Sequence, residues 1–216
     1  MKPKIHISSH WFRRLASLLL GSVALWNVQF AGATPTLQVT GGILMGATGV
    51  EIKIGTTFTG LFDVAFVDGS FNSIFGGALP TIYSSSSLFT PIAFAGSASQ
   101  ALLDSVFVDG SSGAFDTHPE NINGCTSLSD CYASTPYAIN GTNLYIVRAR
   151  NTSATTSSTE KIDYRTTAPT TDYANFNDSV YAVWSAHVSS SAVPEPATLA
   201  LLTLGLAGLG AARRKA

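Results

Sequence analysis

Two uncharged, largely apolar stretches near the two ends, Leu15–Trp26 and Ala197–Ala212, each bordered by basic residues, constrain this chain most. A segment that is apolar on every face has no place on the surface of a globular domain. The part that folds around a core is therefore residues 34–192, a length that suits one domain. Charge divides along the same lines. Lys2, Lys4, Arg13 and Arg14 precede residue 34 with no acid among them, and Arg213, Arg214 and Lys215 close the chain. Between them lie only five bases, Lys53, Arg148, Arg150, Lys161 and Arg165, against twelve acids. The formal net charge of −1 thus conceals a central segment at −7. Five scattered bases make no phosphate-binding footprint, which argues against nucleic acid as a partner.

The N-terminus reads as a secretory signal peptide over residues 1–33: a basic n-region, an apolar stretch, and the A-x-A site Ala31-Gly32-Ala33, with signal peptidase cutting after Ala33. As a helix that stretch reaches only about 18 Å, short of the bilayer core. The C-terminal stretch, 197–212, makes a helix of about 24 Å, enough to span where the flanking basic side chains snorkel. Pro194 and Pro196 disfavour helix before them, so the transmembrane helix starts just after Pro196. Basic clusters at both ends favour the cytoplasm, leaving 34–192 outside.

Val193-Pro194-Glu195-Pro196, a short apolar helix and a terminal Arg213-Arg214-Lys215 occur in that order at the C-terminus. Over residues 193–216 this resembles the PEP-CTERM sorting signal of Gram-negative bacteria. The resemblance implies recognition by exosortase, a membrane-embedded cysteine enzyme that cuts near the Pro-Glu-Pro, and export to the cell surface or the extracellular polysaccharide matrix. Residues 189–193 form a Ser-rich spacer before the signal.

The segment 34–188 has β texture. Val50, Ile52 and Ile54 alternate with Glu51 and Lys53, and Phe58, Phe62, Val64 and Phe66 share one face of the next run. Gly41, Gly42, Gly46 and Gly49 mark turns or bulges, Asn140-Gly141 marks a hairpin, and Val180 to Val188 alternate as a last strand. A helix is expected over Gln100–Val106, capped by Ser97 or Ser99. The fold expected is α+β: mostly antiparallel β-sheet with one or two short helices, plus the C-terminal transmembrane helix. Ser84–Ser87 and Ser153–Thr159 read as loops.

Cys125 and Cys131 are the only cysteines, and an oxidising compartment favours a disulfide between them over free thiols or a Cys/His nucleophile with His118 or His187. A repeat is visible, Asp63-Val-Ala-Phe-Val-Asp68-Gly-Ser70 and Asp104-Ser-Val-Phe-Val-Asp109-Gly-Ser111. It reads as two Asp-Gly-Ser turns, as a duplicated unit, or as acidic turns holding a hard cation. Gly205, Gly208 and Gly210 fall within the apolar helix, where small residues allow close packing, and form no nucleotide loop. No nucleophile elbow, phosphate loop or zinc-helix motif occurs, so no catalytic residue, metal or cofactor is expected, and the role expected is structural or interactive. The alternative is a secreted module for a glycan or small ligand, with Tyr132, Tyr137 and Tyr173 as an exposed aromatic rim. Phe66–Phe75 and Ala98–Gly110, with the later cysteine pair, are similar to other PEP-CTERM proteins, a resemblance that implies no activity.

Overall fold

The computed structural model describes residues 34–56, 58–83, 89–153 and 159–188. The chain divides between Ala33 and Thr34 into two units, and every described residue belongs to the second. Among the described residues no helix is long and apolar enough to cross a membrane. The signal peptide, the spacer, the span 197–212 and the loop Ser84–Ser87 lie outside them.

Seven strands form one sheet: β1 (Thr36–Thr40), β2 (Ile43–Ile54), β3 (Phe58–Val67), β6 (Asp130–Asn140), β7 (Asn143–Thr152), β8 (Lys161–Thr167) and β9 (Ser179–Ala186). Their order is β1-β2-β3-β9-β6-β7-β8, and a short hairpin of β4 (Asp109–Gly110) and β5 (Gly113–Ala114) stands apart. All neighbours in the large sheet are antiparallel except β6 and β9. The predominantly antiparallel α+β fold expected from the alternating runs is therefore present.

The register explains the alternation. Val50 faces Phe62, Val64 faces Trp184, Phe66 faces Ala182, and Ala133 faces both Val180 and Ala149, so one face of the sheet is apolar across five strands. Gly41 and Gly42 turn β1 into β2. Gly46 is required for a different reason: a Cβ there would collide with the Val64 carbonyl oxygen of the neighbouring strand. At the β6–β7 hairpin Asn140 pairs with Asn143, so the turn residues are Gly141 and Thr142, and only Gly141 takes a positive φ.

The helix differs from expectation. Helix α2 runs Pro91–Ala101, capped by Thr90, whose Oγ1 accepts the Ala93 N–H at 3.4 Å, with Pro91 at the first position. Residues Leu102–Val106 continue it as a π-helical turn, closed by the Phe107 N–H donating to the Leu102 carbonyl at 2.8 Å. Ser97 and Ser99 are interior positions, and Ser99 is buried with its hydroxyl donating to the Val147 carbonyl at 3.3 Å. Periodicity failed here because α2 is buried on most sides, with Phe94, Ala95, Gly96, Ala98, Ser99 and Ala101 all inside, which erases the polar stripe that marks a surface helix.

On the apolar face Phe94 packs edge-on to Phe62 and Trp184, with centroids 5.1 and 6.4 Å away. Full burial of one such ring contributes about 2–3 kcal/mol. A smaller cluster covers part of the opposite face, where helix α1 (Phe71–Phe75) seats Phe71 beside Leu144, Ile146, Tyr173 and Tyr181. Ser70 caps α1 in a reciprocal pair with Ser73.

Candidate functional sites

Four of the five bases of the central segment come together, although they look scattered along the chain. Register sets Arg148 opposite Asp163, Arg150 opposite Lys161 and Ile146 opposite Arg165, so Arg148, Arg150, Lys161 and Arg165 share the face opposite the main core. Spacing of two along each strand is what aligns them. Tyr132 of β6 lies opposite Arg150, and the Arg148 guanidinium sits 4.3 Å from its ring centroid. Arg148 donates through Nε and Nη2 to the two oxygens of Asp163, each at 2.9 Å, and Arg165 adds a bond to Oδ2 at 3.1 Å. Arg150 Nε donates to Asp130 Oδ1 at 2.9 Å. Burial pushes the Asp163 carboxyl up, but the bonds and charge of Arg148, then of Arg165, outweigh it and hold the group below its ordinary value. The carboxylates turn these arginines into a rigid polar lid over Tyr132.

That lid changes the aromatic rim. Tyr173 is buried and stacked on Tyr181 at 4.5 Å, and burial raises the pKa of both phenols. Tyr132 lies beneath Arg148, and Tyr137 packs 6.1 Å from Tyr145. The rings that are exposed are instead Tyr164, at 52%, and Phe176, at 49%.

The repeat resolves into two unlike structures. In the first copy Asp63 lies on β3, where its Oδ1 accepts the Gly49 N–H at 2.9 Å and meets His187 Nδ1 at 2.7 Å. In the second copy Asp104 accepts from Gln100 Nε2 at 2.8 Å, on the π-helical turn. Asp109 accepts the Asp116 and Thr117 N–H groups at 2.9 and 3.2 Å, which makes it a loop clasp. Asp68-Gly69-Ser70 bends the chain from β3 into α1, whereas Asp109-Gly110 is strand β4 and only Ser111 lies in the turn to β5, so the two copies are not a duplicated supersecondary unit. Among the described residues no three His, Cys, Asp or Glu side chains gather to hold a metal ion.

Cys125 and Cys131 form a disulfide, with Cα atoms 5.7 Å apart and both side chains in the core. Glu160 lies beside Asp116; burial first, then the Asp116 charge, push its carboxyl up to about 7. His118 Nδ1 meets Glu120 at 2.9 Å. Each of the two described histidines is thus oriented by a carboxylate.

The carboxylate at His187 has a further effect. The His187 N–H donates to the Leu61 carbonyl at 3.1 Å, so this residue is held to β3 by both backbone and ring just after β9 ends. Val188, the last described residue, is 84% exposed. Residues 192–215, beginning four residues later, match the family model of the PEP-CTERM protein-sorting motif. The chain carries a PEP-CTERM sorting signal. Through the PEP-CTERM motif it is marked for export and for processing by exosortase at the membrane. Val193, Pro194, Glu195, Pro196, Arg213, Arg214 and Lys215 lie within or beside the matched stretch, and like Ala31 and Ala33 they fall outside the described residues. No curated protein and no solved structure matches this chain. The PEP-CTERM signal was legible from residue order alone. The arginine lid was not, because only strand register reveals it.

Proposed function

We propose that this is a non-enzymatic protein of the cell surface or extracellular matrix, delivered by signal peptidase cleavage after Ala33 and by exosortase acting near Pro194-Glu195-Pro196. The observation that carries the reading is the PEP-CTERM match at 192–215, which begins five residues after His187. From Val188 to Pro196 an extended chain reaches about 28 Å at most. That length is enough to set the domain apart from the apolar stretch 197–212, which the sequence marks as a transmembrane helix. The disulfide suits the oxidising side of that membrane. Replacing Pro194, Glu195 and Pro196 by alanine and fractionating the cells tests it: the uncut chain should accumulate in the membrane, and unchanged release of a shortened form would overturn the reading.

A second reading, a binding module for an acidic glycan such as a matrix polysaccharide, draws on β8. There the exposed Tyr164 ring lies on the face of this edge strand opposite Lys161 and Arg165, so a glycan laid around the sheet edge would meet the ring on one side and the bases on the other. Binding of uronic-acid glycans on an array, lost in Tyr164→Ala, would favour it.

A further inference from the structure

The two edges of the seven-stranded sheet are unlike. Edge strand β8 carries Lys161, Asp163 and Arg165, the kind of charge that blocks strand addition. Edge strand β1 has the sequence Thr-Leu-Gln-Val-Thr, with no charge, proline or glycine. Its only strand partner among the described residues is β2. The irregularity in that pairing belongs to β2, where Met45 is the extra residue, so β1 itself runs regularly. Leu37 and Val39 are half-buried against the core, and Thr36, Gln38 and Thr40 are exposed.

The strand is nearly the same read in either direction. Antiparallel pairing centred on Gln38 would set Thr36 against Thr40, Leu37 against Val39, and Gln38 against its own copy. A two-fold axis normal to the sheet keeps the core face of both copies on one side, so apolar residues meet apolar residues and polar meet polar. On that side a groove of about 390 Å³ runs along Thr36 and Leu37, walled by Ser105, Val108 and Ser111, with room for a neighbouring strand's side chains. We propose that two copies of this chain pair β1 to β1 and join their sheets into one. No charge on either strand opposes the approach, whereas β8 against β8 would bring charged side chains together. A pairing of five residues is smaller than a standard interface, so it is a weak association that gains from high local concentration at a surface. This deepens the structural role proposed above, and its test stands apart: fractionation reads the tail, association reads the edge.

The test uses the exported protein purified from its host, as wild type, Gln38→Lys and Gln38→Glu, in sedimentation equilibrium. Wild type should associate with concentration. Each variant, with like charges facing across the axis, should associate about fivefold more weakly. An equimolar mixture of the two should recover or exceed wild-type association, which also shows that both variants are folded. Arg165→Glu, on the opposite edge, should leave association unchanged. A wild type that stays monomeric at millimolar concentration, variants that associate like wild type, a mixture that does not recover, or loss of association in Arg165→Glu would each overturn the proposal.

Discussion

Arg148 acts on three groups at once: it neutralises Asp163, covers the Tyr132 ring, and its charge partly offsets the burial that raises the Tyr173 phenol. Arg148→Ala leaves a carboxylate only 15% exposed with just Arg165 beside it. The expected cost is about 2 kcal/mol, below the full penalty of a buried broken pair because both groups keep some water. Arg148→Lys should recover part of this, since an ammonium cannot donate the two parallel bonds. Arg165→Ala, at a side chain 58% exposed, should cost no more than about 0.5 kcal/mol. Urea unfolding of the three variants checks the order. Glu160 gives the opposite kind of effect. Its carboxyl is raised to about 7 in the folded chain by burial and by Asp116, above its ordinary value of 4.5. Between those values the native state binds more protons than the unfolded one, so the stability this group contributes is present below about 4.5 and is lost as pH rises through about 7. Glu160→Gln should therefore raise stability at pH 8 by about 1 kcal/mol after discounting for solvent screening, and change little at pH 4. Thermal melts across that range read the difference.

Among the elements, the loop closed by Cys125–Cys131 enters β6, the strand that pairs with both β7 and β9. Two N–H groups of that loop, Thr126 and Ser127, donate to the Asn177 carbonyl at 2.7 and 2.8 Å, just ahead of β9. The loop thus clasps the only parallel junction in the sheet. Reduction should cost roughly 2 kcal/mol from regained chain entropy, and hydrogen exchange should rise first in β6 and β9. Strands of this kind are readable: Val50–Ile54 of β2 and all of β3 alternate because one face is buried, whereas the irregularities around Met45 and between Ala47 and Val50 break the pattern in the first half of β2. Helix α2 was read too late and too short because its alanine-rich, buried turns lack contrast, and the Thr90-Pro91 start signal precedes a stretch with no polar face. The parallel partnership of β6 and β9 was beyond reach, since no local pattern records which distant strand lies alongside. The same limit hid the arginine lid, while the sorting signal, an ordered set of residues within one short stretch, needs no fold to be seen.

At the scale of the whole molecule, both clusters of the described residues are filled from within residues 37–184. Every buried residue of the main cluster lies between Leu44 and Trp184, and its partly buried neighbours begin at Leu37. The smaller cluster lies within residues 71–183. His187, next to the last described residue, fastens the chain to β3 through its ring and its backbone N–H. With both clusters filled from residues 37–184, the domain is expected to hold its fold without the sorting tail. Cutting near Pro194 also leaves the charge of residues 34–192 at −7, with the three terminal bases removed. The released and the uncut forms should then unfold with midpoints within about 2 °C of each other, a difference below 1 kcal/mol for a domain of this size. His187→Ala, which frees the exit from Asp63 and leaves the core intact, should fray residues 185–188 in hydrogen exchange while leaving that midpoint nearly in place. A midpoint that falls by 10 °C on tail removal would mean that the apolar helix packs on the domain, and the independence of cargo and signal would be lost.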